Sequence, residues 1–194
     1  MLTIESLALQ RGDKTLFSSF DAAFEAGKVV TVLGPNGSGK STLLIAIAAL
    51  FEPLQGAISL KGKSVDQYTK HTLSQHIAWQ GDLPPAEFGL TVGQRLALTQ
   101  NGLDQDVMRY ALEAMDLSKL ANRALGDLSS GERQRVEIAA IMVRDNPVWL
   151  MDEPTAHLDM RHQADCLKLM KKEAKQGRLI ITVLHDLQQA AAVA

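Results

Sequence analysis

Three features that mark specialised proteins are scarce in this sequence: cysteine, excess charge of one sign and long apolar runs. The one cysteine, Cys166, allows no internal disulfide and builds no metal site by itself. Twenty basic and 22 acidic residues give a net charge of −2, so there is no basic footprint for nucleic acid. The longest apolar run, Leu43–Phe51, is well short of the roughly 18 residues that a membrane span needs. The first residues also lack the basic and apolar regions of a secretory signal, so we expect a cytoplasmic protein.

The apolar pattern predicts a sheet with helical connections. Thr3–Leu9 and Phe20–Phe24 alternate as half-buried strands do. Val29–Leu33 is a continuous run, rich in β-branched residues, which predicts a strand covered on both faces. Similar runs recur at Val148–Met151 and Leu179–Leu184, with helical patterns between them. We therefore predict a parallel α/β sheet with crossover connections.

The stretch from Thr91 to Arg123 has no comparable strand run, and its apolar spacing suits short packed helices. In a chain of 194 residues, 46% hydrophobic and 22% charged, this favours one domain with a helical insertion. We expect a core formed by residues 1–85 and 148–194, and a helical subdomain over about 86–147.

A glycine-rich loop follows the third predicted strand and fits G-x-x-x-x-G-K-[ST] completely, from Gly34 to Ser41. Its glycines let backbone N–H groups approach a phosphate. The helix that follows, from about Lys40 to Leu50, points its partly positive N-terminus at the same anion. Lys40 would reach the β- and γ-phosphates, and Ser41 would offer its hydroxyl to Mg²⁺. The loop predicts nucleotide binding.

Two further patterns in the second half of the chain suit phosphate chemistry. The strand Val148–Met151 leads into Asp152 and Glu153, where one carboxylate can help to hold Mg²⁺ and the other can orient a water. Alternatively, these acids only cap a helix or form a turn. Ser129 and Glu132 are spaced as a capping box before the apolar helix Val136–Val143. Such a helix start is a second anion site, which suggests a phosphate bound from two sides across a subunit interface.

Taken in order, these motifs and three more resemble the ATP-binding cassette (ABC) ATPases, the nucleotide-binding subunits of ABC transporters, over nearly the whole chain. The matching segments are the Walker A motif Gly34–Thr42, the Q-loop Gln80, the signature Leu128–Gln134, the Walker B motif Val148–Glu153, the D-loop Ala156–Asp159 and the switch histidine His185. The resemblance implies a P-loop NTPase of the α/β class. Its core would be a mainly parallel sheet, with N-terminal antiparallel β strands and a helical signature subdomain.

The resemblance also implies a mechanism with ATP and Mg²⁺ as cofactors. Two cassettes would pack head to tail and enclose two ATP molecules, each between Walker A of one subunit and the signature of the other. Glu153 would polarise the attacking water, His185 would contact the γ-phosphate and Gln80 would link that phosphate to the membrane subunits. Mg²⁺ would be held by Ser41, Asp152 and Gln80. The nucleotide would contact Gly34, Pro35, Asn36, Gly37, Ser38, Gly39, Lys40, Ser41, Thr42, Arg11, Ser129, Ser130, Gly131, Glu132 and Asp159.

The sequence departs from the family pattern at three positions. Ser130 replaces a usual glycine of the signature, and Ala156 replaces a usual serine of the D-loop. Arg11 lies where most members stack an aromatic ring on adenine, and a guanidinium plane can stack on a base instead. Because family cassettes normally continue past the switch histidine with further strands and a helix, we also expect the end of the family fold to be missing.

Within the family, Asp159–Gln163 and Leu184–Leu187 are similar to ATPases of importers for iron–siderophore, haem and cobalamin. Pro84-Pro85 and Phe88–Val92 fit the same group, and the segment from Gln80 to Val92 is where such ATPases meet their permease. We therefore expect an import ATPase on the inner face of the cell membrane. Its partners would be a second cassette and an integral permease, with no nucleic acid.

Three alternatives remain open. A non-transport ABC ATPase usually has two cassettes in one chain or a long coiled-coil insertion, and this sequence has neither. A GTPase would be expected to carry an Asn-Lys-x-Asp base-reading motif, which is missing, and a small-molecule kinase is the related possibility. A regulatory nucleotide-binding module would need no water-orienting carboxylate, and the pair Asp152-Glu153 speaks against it.

Overall fold

The computed structural model describes residues 1–83, 89–99, 102 and 104–193. The chain forms two compact units. The first unit consists of Met1–Trp79, Asn146–Glu153 and Leu167–Ala194, and the second of Gln80–Asp145 and Pro154–Cys166. The sequence-based division assigned residues 154–166 to the core, whereas here they group with the helical unit. Pro84, Pro85 and Phe88 of the expected permease-docking segment lie outside the described residues.

The regular elements follow the expected succession of strands and helices. In chain order they are β1 (Leu2–Arg11), β2 (Lys14–Phe24), β3 (Val29–Val32), α1 (Lys40–Ile47), β4 (Gln55–Leu60), β5 (Lys63–Ser64), α2 (Lys70–Ser74), β6 (Ile77–Gln80), α3 (Val92–Ala97), α4 (Gln105–Ala114), α5 (Ser130–Met142), β7 (Val148–Asp152), α6 (Met160–Lys175), β8 (Leu179–Val183) and α7 (Leu187–Val193). Among the described helices, none has both the length and the apolar character to cross a membrane.

The first unit contains two sheets. The antiparallel sheet has the order β2-β1-β4-β5, and β1 and β2 form a hairpin in which Arg11 pairs with Lys14. The second sheet has the order β3-β8-β7-β6, with β3 and β7 both parallel to β8. These sheets confirm the prediction of a parallel core sheet with antiparallel strands at the N-terminus.

Burial differs among the three strands that were predicted to be covered on both faces. Every residue of β7 and β8 is buried, as their continuous apolar sequences predict. The prediction was wrong for β3, because all four of its residues are only half-buried. The reason is position: β3 is the outer strand of its sheet, next to β8. A run of valines therefore predicted the strand correctly but not its place in the sheet.

One hydrophobic core joins both sheets of the first unit to helix α1. The helix contributes Leu43, Leu44, Ala46 and Ile47, each at most 2% exposed. The predicted helix extended to Leu50, but α1 ends at Ile47 and Ala49 takes a left-handed backbone with φ of 54°. Packing into this core therefore fixes the position of α1, the helix that directly follows the glycine-rich loop.

Helices α3, α4 and α5 lie in the second unit, together with the first residues of α6. Helix α3 begins with a capping box between Thr91 and Gln94, and Arg95 pairs with Glu137 of α5 at 2.5 Å. In this unit Cys166 is buried, and burial raises the pKa of its thiol to about 12. The single cysteine is therefore a packing residue that stays protonated at neutral pH.

Candidate functional site

The carboxyl edge of the parallel sheet gathers the candidate residues of the first unit. The glycine-rich loop follows β3, Asp152 and Glu153 end or follow β7, and His185 comes two residues after β8. Because β3, β8 and β7 are neighbouring parallel strands, these segments leave the sheet at the same edge. In open α/β sheets, ligands bind at this edge.

Helix α1 begins without a side-chain cap. Its N-cap residue is Gly39, with φ of 98°, and its first turn contains no acidic residue. The N–H groups of the first turn therefore have no side-chain oxygen to satisfy them and point toward any anion bound in the loop. Lys40 is 6% exposed, and its Nζ donates to the carbonyl oxygens of Gly34 at 2.9 Å and Pro35 at 3.0 Å. This is a cationic, donor-rich cradle of the kind that a phosphate requires.

The β1–β2 hairpin supports the glycine-rich loop from one side. A side chain at position 39 would put Cβ 3.0 Å from Leu16 Cβ and 3.1 Å from Phe17 Cε2, so glycine is required by space as well as by backbone angle. Lys14 of β2 donates from Nζ to the carbonyl of Gly37 at 2.7 Å. Nothing in the sequence marked Lys14, because its contact joins residues 23 positions apart.

Glu153 and His185 meet directly in the first unit. His185 Nε2 lies 2.5 Å from Glu153 Oε1, and both side chains are a little over two-fifths exposed. The Glu153 backbone has a left-handed φ of 49°, and its N–H donates to the carbonyl of Val183 on β8 at 3.2 Å. A non-glycine residue in this region is strained, and such strain is commonly found at functional sites. The pair brings a carboxylate and an imidazole together within reach of solvent.

Two oxygen donors in the first unit suit a hard divalent cation. Asp152 is the last residue of β7 and is 8% exposed, and Ser41 is the second residue of α1 and half-buried. A carboxylate and a hydroxyl match the ligands that Mg²⁺ takes, alongside water and nucleotide phosphates. The residues present therefore fit a nucleotide-bound Mg²⁺.

The signature helix α5, in the second unit, begins with the capping box that the spacing predicts. The Ser129 hydroxyl accepts from Glu132 N–H at 3.2 Å, and Glu132 Oε2 accepts from Ser129 N–H at 2.8 Å. Hydrogen bonds from the backbone and the hydroxyl of Ser129 lower the pKa of the Glu132 carboxyl. Glu132 is thus ionised at neutral pH and engaged with its own helix.

Ser130, the signature residue that departs from the family pattern, and Gly131 after it have different surroundings. Ser130 is exposed, so its side chain is accommodated without contact to the core. A Cβ at Gly131 would lie 2.8 Å from the carbonyl oxygen of His157, in the D-loop. His157 has a left-handed φ of 62°. Within the second unit, Gly131 therefore gives the D-loop backbone room to approach the signature.

The remaining candidates occupy distinct places. Gln80, at the end of β6, is 4% exposed, and its amide donates to the Gly81 carbonyl at 2.7 Å. Arg11 is exposed at the end of β1. Asp159 accepts from the His162 N–H and ring, which lower the pKa of the Asp159 carboxyl. Gln80, Asp159 and the signature belong to the second unit, and the remaining candidates, Arg11 included, to the first.

Comparison with known proteins agrees with this arrangement. The ABC transporter family profile matches residues 17–156. The iron(3+)-hydroxamate import ATP-binding protein FhuC of Bacillus subtilis is 33% identical over 98% of this chain and 75% of its own length. The achromobactin transport ATP-binding protein CbrD of Dickeya dadantii is 37% identical over 97% of this chain and 74% of its own. The cytochrome c biogenesis ATP-binding export protein CcmA of Brucella abortus is 36% identical over 95% of this chain and 85% of its own length.

Solved structures show the same fold. The ATP-binding subunit of an ABC transporter superposes with a TM-score of 0.88 at 25% identity, covering 98% of this chain and 81% of that one. A dimeric bacterial ABC transporter cassette superposes with a TM-score of 0.87 at 24% identity, covering 99% of this chain and 91% of that one. The chain belongs to the ABC transporter family and is one of its ATP-binding, ATP-hydrolysing subunits.

Proposed function

We propose that this ATPase drives import of an iron complex or haem through a membrane permease, with Glu153 and His185 at the hydrolytic centre. The observation that carries the hydrolytic assignment is the 2.5 Å contact between His185 Nε2 and Glu153 Oε1 beside the carboxyl edge of the sheet. Glu153 orients the attacking water, and His185 holds that carboxylate and contacts the γ-phosphate. The histidine thereby fixes the direction in which Glu153 accepts a proton.

The other candidates bind and position the nucleotide. Lys40 and the N–H groups of residues 34–42 hold the phosphates, and Arg11 stacks on the base. Ser41 and Asp152 of the first unit would hold Mg²⁺, which would supply positive charge beside the nucleotide phosphates when bound. Residues Ser129–Glu132 and Asp159 of one chain meet the nucleotide of a second chain.

Substitution of Glu153 by Gln tests the hydrolytic assignment. The amide keeps the size of the side chain but cannot accept the proton, so hydrolysis should fall at least about a hundredfold while ATP binding persists. Glu25→Gln, at an exposed glutamate in the same unit, is the matched control and should hydrolyse ATP as the wild type does. Turnover within a few-fold of wild type in Glu153→Gln would refute the role of Glu153.

The import assignment is supported by the relatives and by one segment of this chain. Relatives that match almost all of it carry the names iron(3+)-hydroxamate, petrobactin and hemin import ATP-binding proteins. The segment Asp159–Gln163 is one of those that resemble importers of this group, and it forms the end of the D-loop and the start of α6. We place the chain at the inner membrane face, held there by a permease and paired with a second cassette.

An export role in cytochrome c biogenesis is the second candidate. It is favoured by CcmA, which is 36% identical to this chain over 95% of this chain. The two roles predict different losses when the gene is deleted. Loss of ferric hydroxamate or haem-iron uptake, restored by the wild type but not by Glu153→Gln, would support import. Intact uptake with loss of covalently bound haem in c-type cytochromes would favour export.

A further inference from the structure

A polar network in the second unit joins the signature helix to the D-loop. His162, on the first turn of α6, has a side chain 18% exposed and bonds through both ring nitrogens. Nδ1 lies 2.9 Å from Asp159 Oδ2, and Nε2 lies 3.1 Å from the Arg135 guanidinium of α5. The His162 side chain therefore contacts both the D-loop and the signature helix, the two elements that the family motifs assign to the nucleotide of a second subunit.

The two partners of His162 determine which ring nitrogen donates and which accepts a hydrogen bond. An ionised Asp159 can only accept, so Nδ1 donates to it, and Arg135 can only donate, so Nε2 accepts. A neutral ring with its proton on Nδ1 satisfies both contacts. The backbone N–H of His162 also donates to Asp159 Oδ1 at 2.9 Å, so the carboxylate is held at both oxygens.

Arg135 is itself anchored. Its side chain is 11% exposed and donates to the carbonyl oxygens of Met115 at 2.9 Å and Asp116 at 3.0 Å, just after α4. The Asp116 carboxylate lies 3.7 Å from Arg135 and 3.9 Å from His162 Nε2. The end of α4, the signature helix and the D-loop thus converge on the pair Arg135–His162.

Two further hydrogen bonds reach the backbone just before and within the D-loop, and one glycine gives that backbone room. The buried Gln134 amide of α5 donates to the Pro154 carbonyl at 3.1 Å. Gln163 of α6 donates to the Leu158 carbonyl at 3.0 Å, and Gly131 leaves room for the His157 carbonyl. Of all these bonds, only those of His162 link the D-loop carboxylate to the signature helix through a single side chain.

We propose that His162 is a positioning residue that holds the D-loop Asp159 and the signature helix α5 as one body, so that both meet the second subunit's nucleotide in a fixed relation. This inference rests on the proposed function for its consequence in turnover. The geometry it invokes lies entirely within one unit and can be measured without nucleotide.

Hydrogen exchange of the nucleotide-free chain tests the geometry. In His162→Ala, amides of residues 155–160 and of the first turn of α5 should exchange faster than in the wild type. Asn places an amide near Nδ1 and Gln near Nε2, so His162→Asn should restore protection in the D-loop better than at α5, and His162→Gln the reverse. His71→Ala, an exposed histidine on α2 in the other unit, is the control. Protection in His162→Ala equal to that in His71→Ala would overturn the proposal.

Kinetics test the consequence. His162→Ala should lower kcat about tenfold, as a small misplacement of positioned groups can, while ATP binding to the dilute single chain and the thermal midpoint stay near wild type. Either Asn or Gln should recover part of kcat. An unchanged kcat would overturn the proposal, as would a parallel loss of ATP binding and thermal stability. Hydrolysis retained in Glu153→Gln would instead refute the hydrolytic assignment. The hydrogen-exchange result for His162→Ala would still decide whether His162 positions the D-loop and α5.

Discussion

The starts of helices α1 and α5 are both candidate phosphate sites, yet they are built in opposite ways. Helix α1 begins at a left-handed glycine with no side-chain cap and no acid in its first turn. Helix α5 begins with a complete capping box, and its Glu132 carboxylate lies in the first turn. The first leaves its N–H donors for a ligand, while the second satisfies part of them internally. We therefore expect nucleotide to complete the start of α1, whereas the start of α5 is capped by its own residues.

This contrast explains where each motif sits in the catalytic cycle that we propose. The phosphate loop must hold ATP on a single chain, so its attraction for an anion is left unopposed. In the proposed cycle the signature meets the nucleotide only when a second chain is present, and a self-capped helix would keep its shape until then. The pairs of variants below test the contrast, in order of decreasing expected effect.

Lys40→Ala should weaken ATP binding most. Lys40 Nζ is the buried cation of the loop, and hydrogen bonds to charged groups contribute about 1.5–3 kcal/mol each, so affinity should fall at least about tenfold. Lys14→Ala is the control, because Lys14 is exposed and its Nζ donates to the Gly37 carbonyl; this variant should lose less than about threefold in affinity. Titration with a fluorescent ATP analogue measures both. Equal losses of affinity would mean that Lys14 of the hairpin contributes as much to phosphate binding as Lys40 of α1 does.

Gly131→Ala should damage the signature more than any change at Ser130. The added Cβ would lie 2.8 Å from a backbone oxygen, so the D-loop or α5 must shift, at a cost of about 1–3 kcal/mol of stability. Ser130→Gly should change stability by less, about 1 kcal/mol, because Ser130 is exposed at the first position of the helix. Urea unfolding and steady-state ATPase assays compare the two. A stable and active Gly131→Ala would show that the signature and D-loop tolerate separation.

Ser129→Ala should cost about 1 kcal/mol, seen as a thermal midpoint lower by about 2–4 °C, because it removes the N-cap of α5. The lowered pKa of Glu132 means that its contribution is present above the unfolded carboxyl pKa of about 4.3 and is lost as pH falls through the lower folded value. The midpoint difference between wild type and Glu132→Gln should therefore shrink in acid. A constant difference from pH 7 to pH 3 would contradict the contribution of the ionised Glu132 carboxylate.

Thr182→Val should give the smallest effect, a gain in stability of less than about 1 kcal/mol. Thr182 is fully buried on β8, and within the described part of the chain its hydroxyl has no hydrogen-bond partner. Thr15→Val, at an exposed position of β2, should stay within about 0.5 kcal/mol of wild type. Chemical denaturation measures both. A destabilised Thr182→Val would indicate that the hydroxyl is bonded in solution.

Local signals were sufficient for both helix starts. The glycine-rich loop and the box formed by Ser129 and Glu132 depend on residues a few positions apart, and each was predicted from spacing alone. What the sequence could not supply was the arrangement between distant segments. The half-burial of β3 depends on which strands lie beside it. The contacts of Lys14 with Gly37 and of Arg135 with His162 span 23 and 27 positions. Neither pair has a local pattern that distinguishes it from ordinary surface charge.

The left-handed backbone at Glu153 bears on how this position would evolve. Glycine, and to a lesser degree asparagine and aspartate, adopt such a φ at lower cost than glutamate. A library of variants selected for folding alone should drift away from glutamate at position 153 toward these residues, and should gain stability as activity is lost. Selection for turnover should restore glutamate. If Glu153 has the proposed hydrolytic role, the residue retained at this position reports whether a lineage of such chains has been kept for catalysis.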